Sequence, residues 1–577
     1  MSALTPEGVE ELLGNPEDPG NPYGFAAAVA RDEADAHPDE LCQALVSAGF
    51  HLNYLPEEWG GAFGSFDRSL TLVRAAARRD VNVMPGTMFG IIAATCLQLH
   101  GDEEQRRRVA EILTRGGSVG FALTEAEHGS DLLAGEVRLD EGGRLYGEKW
   151  MVGNGLRCEA VYVVARTGER GPGAFSAYLL DTAEAERRGG LVREPAPRTG
   201  GMRGIDTARL RFTGLPVPED ALVGKAGEGL EVAILAQQAV RLMSMAGSLG
   251  CADSALRLTL GFAGGRRVTE GRRAAGTPLD RTPHARRELA VASAALVAAD
   301  AVALAAARGV HVVPEVFSVW ALAAKHVVAE AGDELMRRCA GVLATRSVLR
   351  EQAPGSGLFQ KLQRDAAVVR VIDASPLANL RAYAAQIPTL LTRDGVTEPD
   401  TLRRIFALDA ELPPYEPTRL DLVARGADPV LGGLGGLGGA ARAAGAVHAE
   451  LTDPRAAALV RRLADAVAEL GPEAASVRRS GADPNALVDL AERYAWLHAA
   501  AVCVHLWWAN RHRSLYGGEP GASGWLRAAL AFLLARADGV DPRRCGPDLL
   551  PAVDAVSALR ENGLLFTAAP VRVAAES

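Results

Sequence analysis

The sequence predicts an α+β protein, mostly α, built from consecutive units around separate cores. Three observations predict it. The 577 residues exceed what one hydrophobic core serves. Alanine is abundant and aromatic residues are only 5%, which favours helices packed through small contacts. Apolar residues recur with helical period at both ends of the chain, while a stretch near residues 118–224 alternates with period two.

The elements follow in order. Residues 1–117 form an N-terminal helical unit: DEADAHPDELCQALVSAG and SLTLVRAAARRD place apolar residues at i, i+3, i+4 and i+7. Asp102 precedes another amphipathic run and Gly116 stops it. Residues 118–224 form a middle β unit, barrel-like, from SVGFALTE, GEKWMVGN, AVYVVART, FSAYLLD and ARLRFTGLPVP. Residues 225–392 supply four long helices, an antiparallel bundle. ELPPYEPTRL and LGGLGGLGG mark a linker over 393–439, and 440–577 form a further helical unit. No strand precedes the glycine tract, so it predicts a joint rather than a phosphate loop.

Hydrophobic residues make up 48% and charged residues 23%, with net charge −9, so a basic nucleic-acid face is not expected. The seven cysteines are scattered without a CxxC pair, which predicts neither a disulfide framework nor a metal site. MSALTPEGVEELLG lacks the basic-then-apolar order of a signal peptide, and no apolar stretch reads as the ~20 residues a membrane span needs. A cytoplasmic protein without a membrane span is expected.

Five motifs stand in a fixed order: FALTEAEHGSD (121–131), GEKWMVGNG (147–155), GGMRGIDTARLRFTGLPVPEDALVG (200–224), RRAAGTPLDRTPHARRELA (272–290) and RDAAVVRVID (364–373), with Arg241 between the third and fourth. Together they resemble the acyl-CoA dehydrogenase family over roughly residues 40–390. The tail resembles the C-terminal helical extension of the long-chain dehydrogenases and acyl-CoA oxidases.

The resemblance implies FAD as cofactor, an acyl thioester of CoA or of an acyl or peptidyl carrier protein as substrate, and a homodimer or tetramer. It places Phe121, Leu123, Thr124, Gly129 and Ser130 at the flavin and thioester, and the residue types agree. Thr124 is a short donor, and Gly129-Ser130 make a turn whose N–H groups can face phosphate. Met151 and Gly153 stand where the family carries an aromatic and a Thr or Ser beside the flavin. Methionine can pack on a ring through its sulfur, whereas Gly153 offers only backbone. Trp150 reads as core. Arg272 matches an Arg that reaches the FAD of a neighbouring subunit, with Ala275 in place of an aromatic, and Arg337 takes the place of a Gln near the adenosine. His128 reads as a loop residue and His505 as core.

Aligning Arg364-Asp365-Ala366 with the family's R-D-A puts Asp373 on the catalytic Glu, Ala374 on a Gly and Ser375 on a Thr. The chemistry needs a carboxylate there. The α-proton of a thioester is weakly acidic, so the base must be desolvated and the thioester oxygen must accept hydrogen bonds as charge develops. Aspartate is one methylene shorter, a retreat of ~1.5 Å. Some members carry the base one residue before the Arg241 position, where this chain has Val240. The resemblance implies Asp373 and Arg241 as catalytic residues of an α,β-dehydrogenation, and the altered flavin and base positions point to a non-standard substrate in secondary metabolism. The alternatives are redox-neutral carbanion chemistry such as ring closure, or a degenerate member serving as an assembly subunit.

Overall fold

The structure is a computed structural model that describes residues 4–269, 276–350, 357–392, 397–434, 450–480 and 483–574. Its N-terminal unit is helical. The helix Glu103–Thr114 opens as the sequence predicts, with Asp102 and Gln105 exchanging a reciprocal capping box.

The middle unit is a mixed sheet of β1 (Val119–Ala122), β2 (Arg138–Leu139), β3 (Arg144–Gly153), β4 (Ala160–Arg166), β5 (Phe175–Asp181), β6 (Leu191–Pro195), β7 (Thr207–Pro216) and β8 (Leu222–Val223). The order is β6-β7-β3-β2-β4-β5-β8, with β1 parallel to β4. Period two decides what β4 does. Ala160, Tyr162 and Val164 join the core shared with the helices, while Val161, Val163 and Ala165 fill the sheet's own core. With Val119 of β1 and Phe175, Ala177 and Leu179 of β5, these residues weld the β unit to the helices.

Four bundle helices follow: the first Gly229–Gly265, the second Pro283–Val312, the third Phe317–Leu343 and the fourth Leu358–Val371. By length and composition, Val83–His100 and the first and second bundle helices could cross a membrane, contrary to the sequence expectation. The second is apolar because it is buried on all sides by protein. Gly250 lets the helix Phe66–Ala77 lie against the first bundle helix, since an added Cβ would fall 2.9 Å from the Ala77 and Arg78 backbone.

The stretch expected as a linker is packed over 397–434. The guanidinium of Arg308 donates to the carbonyls of Arg404, Ile405, Ala407 and Ala410 at 2.8–2.9 Å, and Ile405 and Phe406 are buried. Leu431–Leu434 belong to a short helix, and 435–439 of the glycine tract lie outside the described residues. The C-terminal helices Pro484–Ala509, Gly524–Ala537 and Leu550–Glu561 pack on the second bundle helix, and the first of them also on the third. His505 is buried there, bonded to the Val430 carbonyl at 2.9 Å and stacked on Phe406.

A buried ionic network ties the two ends of the chain together. Arg74 donates to Asp300 (2.5 Å) and to the Phe566 carbonyl (2.6 Å). Arg78 and Arg79 hold Glu10, and Arg257 holds Asp253. The N–H groups of Phe566 and Ala568 donate to Asp253 and Asp300. Burial alone would lift Glu10 and Asp253, but the adjacent guanidinium groups hold both below the usual carboxylate range. Their stabilisation is present above the unfolded pKa of about 4 and is lost as pH falls through the depressed folded value. We expect a lower urea midpoint at pH ~3.5 than at pH ~7. Arg74→Ala, which strands Asp300 and the Phe566 carbonyl, is expected to cost about 3–5 kcal/mol in the same melts at neutral pH.

Candidate active site

The loop after β1 is held by a buried ion pair. Lys149 donates to Glu125 (2.7 Å) and to the Leu123 carbonyl (2.8 Å), while Glu125 also accepts from the N–H groups of Glu136 and Val137. Trp150 N–H donates to the Thr124 carbonyl at 2.8 Å. The loop's base is thus fixed and its tip, Gly129-Ser130, is exposed. Gly129 has φ 40°, and an added Cβ there would meet nothing within 4 Å. The Thr124 and Ser130 hydroxyl groups have no protein partner among the described residues. Phe121 stacks on Tyr162, with centroids 5.7 Å apart.

Across from the loop, β3 bulges. Its pairing with β7 is interrupted between Lys149 and Val152, and Met151 takes φ 53°. Gly153 follows, and the ring of Phe89 lies directly on it. An added Cβ would sit 2.1 Å from Phe89 Cδ2. The volume that a Thr or Ser side chain would use at 153 belongs to Phe89. The same N-terminal segment reaches the bundle: a Cβ on Gly247 of the first bundle helix would be 2.6 Å from Met84 Sδ. Gly247 lies one turn beyond Ser244 and two beyond Arg241, so these three share one helix face.

The fourth bundle helix is docked by charge. Lys361 Nζ lies 2.6 Å from Asp365 and 3.0 Å from Asp80 of the N-terminal unit, all three buried. Asp365 accepts the Met202 N–H (2.5 Å), and Arg364 donates to the Gly200 carbonyl (2.6 Å) and pairs with Asp32 (2.5 Å). The sequence motifs GGMRG and RDA therefore meet each other.

Two residues past that helix stands Asp373. It has φ 62° and Ala374 has φ 120°, a left-handed pair that L side chains adopt only under constraint. Ser375 then caps the next helix, accepting from Ala378 N–H. Asp373 is half-buried, yet burial lifts its carboxyl above the usual range, with Lys325 and Arg241 opposing. Arg241 Nε is 3.4 Å from the Asp373 carbonyl, and burial pulls this guanidinium down to about 10. Lys325 of the third bundle helix is 1% exposed, and burial pulls it down to about 8. Its ammonium donates to the Val369 carbonyl at 2.7 Å.

The structure thus gathers Asp373 and Arg241 at one end of the bundle, and Phe121, Leu123, Thr124, Gly129, Ser130, Met151 and Gly153 on the β unit. Arg337 stands apart. It is 57% exposed, pairs with Glu334, and borders a cleft of about 480 Å³ against the C-terminal helices. Arg272 and Ala275 lie outside the described residues. His128 Nε2 is 3.8 Å from Glu136. Sequence reasoning missed Lys325, Lys361 and Phe89. Lys325 is a lone charge in the apolar run VFSVWALAAKHVV, and Lys361 stands four residues before Asp365, so both left a signal. Phe89 left none.

Models of the acyl-CoA dehydrogenase N-terminal, middle and C-terminal domains match residues 25–117, 120–215 and 227–373, more than half of the chain. The chain belongs to the acyl-CoA dehydrogenase family. It is similar to the probable acyl-CoA dehydrogenase FadE25 of Mycobacterium tuberculosis, 28% identical over 236 residues, which are 40% of this chain and 60% of that one. Among solved structures, an acyl-CoA dehydrogenase complexed with FAD from Bacillus anthracis superposes with TM-score 0.66 at 17% identity, covering 97% of this chain and 98% of that one. The prolyl acyl carrier protein oxidase AnaB superposes with TM-score 0.52 at 17% identity, covering 61% and 91%. The C-terminal helices lie within the Bacillus anthracis superposition, so they belong to a shared fold.

Family membership implies FAD, and the residues fit it. The open space at Gly129, where an added Cβ meets nothing within 4 Å, and the unpartnered hydroxyl groups of Thr124 and Ser130 suit a flavin nucleotide's acceptors. The Phe89–Gly153 contact can be tested without it. Gly153→Ala forces the ring aside and is expected to destabilise by about 1–3 kcal/mol. In a Phe89→Ala background the same change is expected to cost little, so a double-mutant cycle of thermal melts should show coupling.

Proposed function

We propose that the protein is a FAD-dependent dehydrogenase that oxidises an acyl thioester between the α- and β-carbons. One observation carries this reading: the carboxyl at the family's base position sits half-buried at a left-handed kink, faced by two buried cations. Asp373 removes the α-proton. Its raised affinity for protons suits a base working on a weak carbon acid, because a fully solvated aspartate is too acidic to compete. Arg241, bonded to the Asp373 carbonyl, positions the base. Thr124, Gly129 and Ser130 would hold the cofactor, with Met151 offered to its ring. FAD, when bound, accepts the hydride released from the β-carbon.

The thioester is carried by CoA or by a carrier protein. The likeness to AnaB supports the carrier reading, and with it a place in secondary metabolism. Arg272 belongs to this proposal as a residue offered to a second copy, in a homodimer or tetramer located in the cytoplasm, and Arg337 as a contact of the adenosine end. Gly153 favours a second reading. With Phe89 in place of a hydroxyl beside the flavin, the site could use the carbanion in ring closure without net oxidation.

Anaerobic mixing of the purified yellow protein with acyl-CoA and acyl-carrier thioesters separates the readings. Dehydrogenation predicts loss of the oxidised flavin's visible absorption, and Asp373→Asn is expected to slow it by ~10²–10⁴-fold. Substrate consumed with the colour intact supports the redox-neutral route. A protein that binds FAD yet shows neither change, with Asp373→Asn indistinguishable from wild type, would be an assembly subunit.

A further inference from the structure

The fourth bundle helix ends in an unusual way. Ile372 N–H still bonds the Val368 carbonyl, as a continuing helix requires. The next bond in that series would run from Asp373 N–H to the Val369 carbonyl. It is absent, because Ile372 leaves the helix at ψ 145°, which swings the 372–373 peptide and the Asp373 N–H off the helix axis. The Val369 carbonyl is instead taken by Lys325 Nζ at 2.7 Å, from a different helix. Among the described residues the Asp373 N–H has no acceptor.

We infer that Lys325 is a positioning residue of this site: by occupying the carbonyl that belongs to the Asp373 N–H, it releases that N–H toward the substrate's thioester oxygen and sets a fixed cation opposite the Asp373 carboxylate. The inference rests on the proposed role of Asp373 as base. Several observations carry it. Lys325 is 1% exposed, so a solvent-facing role is closed to it, and Val369 is its bonded partner. A buried ammonium with one carbonyl partner lacks a full complement of acceptors, and the nearby carboxyl is the remaining source of compensation. The end of a helix is also where a cation satisfies orphan carbonyls most effectively.

The groups facing Asp373 are few. Lys325 comes from the third bundle helix, and Arg241 and the Ser244 hydroxyl come from the first. On the fourth helix, Arg370 is paired with Glu330. Arg241 binds the Asp373 carbonyl, which fixes the backbone on the far side of the kink. Lys325 fixes the near side. When Asp373 takes the proton, the negative charge moves to the substrate while the two cations stay in place. The site therefore retains positive charge where the new anion develops.

The test reads Asp373 itself and does not depend on turnover. The infrared carbonyl band of protonated Asp373, assigned by its absence in Asp373→Asn, is followed against pH. Lys325→Met is expected to raise the titration midpoint by about one unit or more, a tenfold gain in proton affinity, because a compensating cation is gone. Lys325→Arg, which keeps the cation, is expected to stay near wild type and to report on folding. A midpoint unmoved in folded Lys325→Met, or moved equally by both substitutions, overturns the inference. A second measurement follows exchange of the α-hydrogens of a short acyl-CoA into D2O by NMR. Slower exchange in Lys325→Met, with its acidic limb moved to higher pH, supports the inference. Exchange as fast as wild type overturns it. If wild type shows no exchange while the infrared midpoint still shifts, the base assignment fails and the Lys325–Asp373 coupling stands.

Discussion

The ammonium of Lys361, buried between Asp80 and Asp365, is the contact on which the arrangement of this protein depends. One charge joins the N-terminal unit to the fourth bundle helix, and the second oxygen of Asp365 reaches the Met202 N–H of the β unit. Three parts of the chain thus meet at one point, eight residues before Asp373. Burial penalises every member of the cluster, so its parts are tolerable only together: either aspartate without the lysine would be an uncompensated buried charge. Such a contact is poor as a source of net stability and good as a specifier of geometry. It admits one docking of the helix that leads to Asp373.

That fixed docking explains how the chain sustains an unfavourable backbone further on. Asp373 and Ala374 occupy positive φ, and a residue with a Cβ at φ 120° costs of order 1–3 kcal/mol. The kink is over-determined from both directions. Lys361 and Arg364 hold the helix before it, Lys325 and Arg241 hold its two sides, and Ser375 opens a new helix after it. The strain has a use. A regular helix would have carried residue 373 onward along its axis, whereas the kink redirects the chain and brings the residue's carbonyl to Arg241 of the first bundle helix.

Much of this was legible in the residues. Helical and alternating periods separated the β unit from its flanking helices, since burial on one face imposes those periods. The order of the motifs located Asp373 and the loop at Thr124–Ser130. What was hidden depended on contacts between distant positions. Lys325 reads as a stray charge until the Val369 carbonyl is placed above it. Phe89 is one apolar residue in an apolar run, and nothing local tells that its ring fills the space left by Gly153. The segment near 400–420 carries prolines and reads as a joint, because the feature that packs it is an arginine at 308. The second bundle helix escaped notice as a long apolar element because its alanines read as ordinary helix formers.

The network joining Arg74 and Asp253 to Phe566 and Ala568 has a consequence for how the molecule is made. The helix Phe66–Ala77 and the residues just after it carry three arginines that are buried in the finished protein, and part of their compensation comes from backbone almost five hundred positions later in the chain. During synthesis those arginines emerge long before their last partners. Until that backbone docks, water is the remaining partner for the Arg74 group that the Phe566 carbonyl accepts from. Closure of that part of the interior therefore waits for residues 566–568.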